Sequence, residues 1–238
     1  MLIIQQEPQE SIREYAYRFL RMNIIDLSLP PGQNISEQDV ATQLNVSRTP
    51  VREAFIKLAQ ENLLDIIPQK GTYVSLIDID QVEESKFARE TLEKEVIRQA
   101  CISFPSEELF QLQFCLAQQE LCISEKNYHR FFELDETMHG LIFKGCKKGR
   151  TWNMLHLMNA HYNRVRILNL KVKEFEWEQL IEQHRELVRA IRESDVALGK
   201  KIINLHLNKV VVDLEHLRNE QGHYFLPSKQ QTFTMINK

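Results

Sequence analysis

The sequence is poor in glycine, proline and cysteine, and it lacks any long apolar run. It holds 7 glycines and 7 prolines among 238 residues, which favours long helices with short connections over a β protein with many turns. No stretch approaches the roughly 20 apolar residues of a membrane helix, and the N-terminal residues lack the basic region and apolar core of a signal peptide. The 4 cysteines form no C-x-x-C pair and fit a reduced interior as small apolar fillers. We therefore expect a cytoplasmic protein with no membrane partner.

The net charge carries little information about a nucleic-acid partner. The formal charge is −3, and residues 1–77 hold 7 Lys and Arg against 9 Asp and Glu. Binding to DNA would therefore depend on where a few basic side chains lie, not on a basic surface. Hydrophobic residues make up 43% of the chain and charged residues 26%, which allows a packed core in one large domain or two ordinary ones.

The first 77 residues show a distinctive order of secondary structure. Residues 11–27 carry apolar side chains at helical spacing and end before the turn-forming residues 30–32. Ser36, followed three residues later by an acid, predicts the start of a short second helix, and Asn45 tolerates the left-handed turn that ends it. A third helix begins at Ser47, whose hydroxyl we expect to cap the first turn.

A β-hairpin follows the third helix. The segments 64–67 and 72–76 are short and rich in β-branched side chains, and residues 68–71 join them. Helix, helix, turn, helix and hairpin is the order of a winged helix-turn-helix. We assign residues 1–77 to such a domain, with double-stranded DNA as the expected partner.

Two arginines on the third helix are the candidate residues for contacting DNA bases. Arg48 and Arg52 are four residues apart and share one helix face, opposite the apolar stripe of residues 51, 55 and 58. Arginine at this place can pair with guanine through two hydrogen bonds. The alternative is that both arginines only form a solvent-exposed polar face of the helix, with Arg52 paired to Glu53 or Asp39. The other candidate DNA contacts are at the helix start and the hairpin tip: Ser47, Thr49, Pro50, Lys70 and Gly71.

The segment LSLPPGQNISEQDVATQLNVSRTPVREAFIKLAQENLLDIIPQKGTYVSLI resembles the DNA-binding domain of the GntR family, and VSRTPVREA is its most specific part. The resemblance covers nearly all of residues 11–77. Two positions depart from the family pattern. Asn62 stands where members often have glycine, a left-handed position that Asn takes at modest cost. Gln38 stands where some members have a DNA-contacting arginine, so that contact is not carried over.

The rest of the chain predicts an all-helical domain over residues 80–221, followed by a polar tail over residues 222–238. Apolar residues at helical spacing continue from Asp80 to about residue 219. Its breaks delimit about six helices and lie at residues 104–106, 126–127, 147–149, 170–174 and 194–195. The expected fold class is therefore mainly α, with a small β-hairpin in the N-terminal domain and a helical bundle after it.

Four polar residues in this bundle are candidate metal ligands. Asp135 and His139 are one helical turn apart, and His184 and His206 each lie within an amphipathic helix. Three imidazoles and one carboxylate from three helices can bind a divalent transition metal. Spacing alone leaves open that each histidine is a satisfied core residue or a solvated one.

Three segments of the bundle resemble the FCD domain, the effector domain of the FadR-type branch of GntR regulators: FARETLEKEVIRQA, FFELDETMHGLIF and HRELVRAIRESDVALGKKIINLHL. In many members the Asp and three His of these segments bind a metal, which implies a zinc or nickel site here. Arg89 matches a family arginine that often meets an acidic effector, and Arg164 and Arg166 match a basic pair near that pocket. The alternative for Arg89 is a helical pair with Glu93.

The resemblance implies a homodimer whose two winged domains read an inverted repeat and whose helical domains bind a small carboxylate, an organic acid or sugar acid. Effector binding would change operator affinity. Repression is the commoner role of such regulators, and activation is the alternative. Two alternatives remain from the residues alone. The Asp-His₃ group could be a metal-dependent hydrolase or oxygenase centre, or the regulator could respond to metal alone.

Overall fold

The computed structural model describes residues 1–2, 4–172, 177–212 and 214–227. The chain divides into two compact units. The N-terminal unit comprises residues 1–79 together with the residues from 216 onward, and the helical unit comprises residues 80–215. The N-terminal unit holds a small sheet and the helical unit is all α, which confirms the predicted fold class.

The N-terminal unit has the predicted order of elements and one strand that the sequence does not predict. Its elements are α1 (Ile12–Ile25), β1 (Asn34–Ile35), α2 (Glu37–Leu44), α3 (Arg48–Gln60), β2 (Leu64–Ile67) and β3 (Gly71–Val74). The three strands are antiparallel in the order β1-β3-β2. A two-residue strand is too short to show alternation, so β1 has no pattern of its own in the sequence.

Local capping signals explain most of the helix ends in this unit. Ser11 and Glu14 form a reciprocal capping box at the start of α1, and the Ser36 hydroxyl accepts hydrogen bonds from two backbone N–H groups of α2. Asn45 ends α2 at φ 54°, as predicted. The prediction for Ser47 is wrong: it precedes α3, but its side chain makes no capping hydrogen bond. Its extended backbone still starts the helix, and the hydroxyl is left exposed.

The C-terminal residues add an element that the sequence left without structure. Gly222–Tyr224 form a 3₁₀ turn, and Phe225 after it is buried. The Ile77 N–H donates to the Tyr224 carbonyl, and the Leu226 N–H donates to the Ile77 carbonyl. These bonds explain why residues 216–227 lie with the N-terminal unit. The rest of the predicted tail, from residue 228, lies outside the described residues.

The helical unit contains more helices than the six expected. They are α4 (Ile79–Ile102), α5 (Ser106–Glu125), α6 (Tyr128–Gly145), α7 (Gly149–Met158), α8 (Ala160–Val172), α9 (Trp177–Arg192), α10 (Val196–Val212) and α11 (Leu214–Glu220), whose last residues belong to the N-terminal unit. One additional break is at Asn159, which ends α7, and the boundary between α10 and α11 is at residue 213, outside the described residues. Asn competes for backbone hydrogen bonds and favours helix ends. The predicted break at 170–174 is wrong for residues 170–172, which belong to α8, and residues 173–174 lie outside the described residues.

The core of the helical unit lies between α4, α5, α6, α9 and α10. Phe131, Met138 and Phe143 of α6 are almost fully buried, as are Ile181 and Leu187 of α9. This packing fixes the inward faces of the helices that carry the predicted metal ligands. Among the described residues, no helix combines the length and apolar character that crossing a membrane requires.

Candidate metal centre and DNA-reading surface

The four predicted metal ligands lie together in the interior of the helical unit. Asp135 and His139 come from α6, His184 from α9 and His206 from α10, and all four are buried. One ligand atom from each lies within 4.8 Å of those from the other three. The four residues are far apart in the sequence, and they meet because α6, α9 and α10 pack against one core.

The Nε2 atoms of the three histidines converge on the Asp135 carboxylate. His184 Nε2 lies 3.2 Å from Asp135 Oδ1, and His206 Nε2 lies 3.8 Å from the same oxygen. His139 Nε2 lies 3.7 Å from Oδ2 and 3.2 Å from His206 Nε2. The four candidate ligand atoms therefore surround one common position.

The other ring nitrogen of each histidine has an oxygen partner on a different helix. His139 Nδ1 lies 2.6 Å from Glu93 Oε2, His184 Nδ1 lies 2.6 Å from Gln119 Oε1, and His206 Nδ1 lies 3.1 Å from Gln183 Oε1. A carboxylate or amide oxygen only accepts, so each Nδ1 donates its proton and each Nε2 faces the Asp135 carboxylate. Such partners orient metal-bound imidazoles in known sites.

Sequence reasoning missed these positioning residues, although Gln119 left a signal. It lies at the helical spacing of Leu112, Cys115 and Cys122, which form the buried stripe of α5. A glutamine with no exposed surface in such a stripe needs a buried partner. The sequence indicates Glu93 only as a helical partner of Arg89, and Gln183 has no distinguishing pattern.

The residues fit a divalent transition metal. Burial lowers the pKa of His184 and, with the neighbouring His184 ring, lowers that of His206 well below its usual range, so both are neutral. Burial would raise the pKa of Asp135, but Arg166 and the imidazoles hold it well below its usual range. His184 Nε2 is buried without a hydrogen-bond partner among the described residues. A cation at this point would satisfy that lone pair together with the carboxylate.

Of the predicted effector arginines, Arg89 and Arg164 are buried and Arg166 is half-buried, and Arg89 and Arg166 border the metal-ligand group. Arg89 donates from Nε to Glu93 at 2.6 Å and from Nη1 to Glu136 at 3.2 Å. Arg166 donates to Asp135 and to Glu136. The Arg89–Glu93 pair, the simpler alternative from the sequence, is thus present, but it lies in the interior and not on a helix surface.

Arg164 leaves α8 on another side from Arg166. Two residues along a helix correspond to a rotation of about 200°. Arg164 is fully buried, and its Nη2 lies 2.8 Å from His161 Nδ1. Arg164 and Arg166 therefore do not act as a pair on one face of α8, and the assignment of Arg164 to the effector stays a prediction.

The predicted DNA contacts on α3 are exposed on the side away from its core stripe. Val51, Phe55 and Leu58 are buried, whereas Arg48 and Arg52 are exposed. Arg48 donates to Glu37 of α2 at 3.2 Å. Arg52 makes no ion pair within the part of the chain that the structure describes, so the alternative pairing with Glu53 or Asp39 is absent there.

The remaining predicted contacts surround the start of α3 and the hairpin tip. Ser47 and Thr49 are exposed beside the first turn of α3, whose backbone N–H groups suit phosphate oxygens, and Pro50 is partly exposed. Lys70 and Gly71 are exposed at the hairpin tip. Gly71 has φ 117°, and a Cβ there would lie 2.8 Å from Asn34 Nδ2, so glycine is also required by the fold.

Comparison with known proteins identifies the two units. Residues 12–74 match the family described as bacterial regulatory proteins, gntR family, and residues 86–209 match the FCD domain. The chain belongs to the GntR family. This GntR protein is a DNA-binding transcription regulator and not an enzyme, which confirms the resemblance and removes the hydrolase or oxygenase alternative.

The similar proteins are regulators of the same type. The GntR chain is 33% identical to the HTH-type transcriptional repressor RspR of Escherichia coli (strain K12), over 93% of this chain and 96% of that protein. It is 25% identical to the gluconate operon transcriptional repressor of Bacillus licheniformis, over 83% of each chain. The structure of E. coli McbR/YncC shares the fold, with a TM-score of 0.77 and 19% identity over 87% of this chain and 99% of that chain.

Proposed function

We propose that this GntR protein is a cytoplasmic, homodimeric repressor whose operator affinity is controlled by a small carboxylate bound at a zinc- or nickel-containing site in the helical unit. The observation that carries the proposal is the convergence of three imidazole Nε2 atoms and the Asp135 carboxylate in a buried position. Asp135, His139, His184 and His206 would hold the metal. A bound divalent ion would supply positive charge and open coordination positions for a carboxylate oxygen.

The arginines beside the ligand group support an acidic effector. Arg89 has no exposed surface, yet its Nη2 has no hydrogen-bond partner among the described residues. A buried N–H donor without an acceptor destabilises the folded protein unless another group supplies the acceptor. A carboxylate or hydroxyl oxygen of a bound acid would accept from Arg89 Nη2 while the acid also meets the metal position.

Repression and dimerisation have separate support. Two similar proteins, RspR and the gluconate operon regulator, are named repressors. The outer face of α5 exposes Phe110, Phe114 and Leu121 by more than 60% each, at helical spacing. A second copy of the chain that covered this apolar stripe would bring together two winged DNA-binding domains, as an inverted repeat requires. Sedimentation equilibrium should give twice the 28.2 kDa chain mass at micromolar concentration, and a purely monomeric species would contradict the dimer.

Control by metal alone is the second candidate. The observation that favours it is that Arg89 and Arg166 are already paired with Glu93, Asp135 and Glu136, so neither guanidinium needs an added anion for charge balance. Under this candidate, chelation would change operator affinity and no acid would. Under the main proposal, acids act on the metal-loaded protein.

Arg89 can be tested without removing its charge. Arg89→Ala would leave Glu93 and Glu136 without a buried cation, and Glu93 also holds His139, so the metal itself could be lost. Arg89→Lys keeps the charge but removes the planar fork. We expect full metal content, unchanged acid-free operator binding and about tenfold weaker binding of the active acid, measured by calorimetry. Wild-type acid affinity in the lysine variant would place the effector elsewhere.

A further inference from the structure

The C-terminal segment is bonded to the N-terminal unit next to the residue where the first helix of the helical unit begins. Ile77 has no exposed surface and lies two residues before α4. Its N–H donates to the Tyr224 carbonyl at 2.8 Å, and its carbonyl accepts from the Leu226 N–H at 2.9 Å. Buried backbone groups need such partners, so detachment of the segment would leave both polar groups of Ile77 without them.

Two apolar side chains anchor this segment in an otherwise polar stretch. Leu217 on α11 has no exposed surface, and Phe225 is 5% exposed. Residues 218–220 and 222–223, which lie between these anchors, are exposed. Chain termini are poorly ordered unless specific contacts tie them down, so two buried anchors and two backbone bonds indicate a docked segment.

The N-terminal unit is therefore attached to the helical unit at two points of the chain. One connection runs from Ile77 into α4, and the other runs from α10 into α11, which carries Leu217. A domain on one linker can reorient with few restrictions. A second attachment closes a loop through the helical unit and removes much of this freedom.

Both connecting helices also carry residues of the candidate metal centre. His206, a candidate ligand, lies on α10. Glu93 lies on α4, and its Oε2 is 2.6 Å from Nδ1 of the candidate ligand His139. A metal bound to His139 and His206 would fix α10 relative to α6, and Glu93 ties His139 to α4. Occupancy of the centre therefore acts on the two helices from which the chain reaches Ile77 and Leu217.

We infer that residues 217–227 form a strap that transmits the state of the metal centre to the DNA-binding unit. This inference rests on the proposed function, because it concerns how metal and effector change operator affinity. The docked and detached strap are two alternative states, and ligand occupancy of the helical unit biases the choice between them. A protein with a detached strap keeps its metal and its winged domain, but its operator affinity no longer follows the state of the centre.

Leu226→Pro is the sharpest variant, because it removes the N–H that bonds to Ile77 and changes an exposed side chain. Phe225, the preceding residue, has the extended backbone that proline favours before it, at φ −106° and ψ 147°. The matched control is Leu226→Ala, which keeps the N–H. Phe225→Ala is a second variant, which removes the buried anchor. All are full-length proteins, and zinc content and binding to an unrelated duplex are measured for each.

Operator affinity of the zinc-loaded proteins is measured with and without gluconate as the probe acid. The wild type and Leu226→Ala should show a change of roughly 5–150-fold. Leu226→Pro and Phe225→Ala should each hold one zinc per chain and bind the unrelated duplex as the wild type does, but respond to gluconate by less than about twofold. A full response in both variants would overturn the strap and leave the proposed function standing.

Backbone hydrogen exchange of the wild type provides a readout that does not depend on DNA or acid. Zinc should slow exchange of the Ile77 and Leu226 amides by about tenfold, because a stabilised α10 favours the docked strap. The Val40 amide on α2, which donates to Ser36 within the N-terminal unit, should not change. If gluconate has no effect on the wild type, the proposed function fails, and exchange still decides the strap. Equal exchange with and without zinc would then overturn it.

Discussion

Replacing His184 with alanine is expected to leave the protein without bound metal and to lower its melting temperature. His184 Nε2 is one of the four converging ligand atoms, and its Nδ1 is already held by Gln119. Losing one of four ligands from a buried site removes most of the binding free energy. A metal present at a thousand times its dissociation constant stabilises the folded state by about 4 kcal/mol, or roughly 10 °C for a chain of this size.

The measurement combines elemental analysis with thermal unfolding in the presence and absence of chelator. Wild-type protein should hold close to one zinc or nickel ion per chain after incubation with metal, and chelator should lower its melting temperature. His184→Ala should hold little metal, and chelator should change its melting temperature little, which separates metal loss from simple loss of packing. His216→Ala is the matched control, because His216 is exposed and pairs with Glu220. A wild type without metal, or a variant that keeps it, would rule out the site.

Replacing Arg52 with alanine is expected to weaken binding to the specific operator by about 1–3 kcal/mol, or roughly 5–150-fold. Arg52 is exposed on α3 and has no ion pair among the described residues, so its guanidinium is available to a base edge without breaking another contact. Arg48 must first give up its bond to Glu37, so Arg48→Ala should cost less. Base preference at the contacted position should relax in both variants.

The control for Arg52 is another cation of the same helix. Lys57 lies over the Tyr17 ring on the side of α3 that faces α1, so Lys57→Ala removes equal charge away from the base-reading face. Affinities for an operator selected from random duplexes, and for an unrelated duplex, are compared for each protein. Equal losses on both duplexes in Arg52→Ala would mean that Arg52 contacts only phosphate.

Local sequence signals were enough for most of the N-terminal unit. Asn45 and Asn62 take the left-handed conformations that their places in the sequence predict, at φ 54° and 57°. The core stripe of α3 and its exposed arginine face follow from helical periodicity. The side-chain hydrogen bond of Ser47 was predicted wrongly because an N-cap residue can start a helix through its backbone alone.

Only part of the candidate metal centre could be predicted from sequence spacing. Asp135 and His139 are neighbours by helical spacing, but their meeting with His184 and His206 depends on how α6, α9 and α10 pack. The oxygens that orient the imidazoles come from positions 93, 119 and 183, on helices that no short-range pattern connects. The pairing of Phe225 with Ile77 is equally long-range, so a polar C-terminal segment gave no sign of it.

The most direct test of the central claim is the operator affinity of the wild-type protein under four conditions. The protein is loaded with zinc or treated with chelator, and each form is titrated with operator in the presence and absence of a small organic or sugar acid such as gluconate. We predict that the acid changes the affinity of the zinc-loaded protein by roughly 5–150-fold and leaves that of the chelated protein unchanged. An affinity that is the same under all four conditions, or an acid response that survives removal of the metal, would contradict the account.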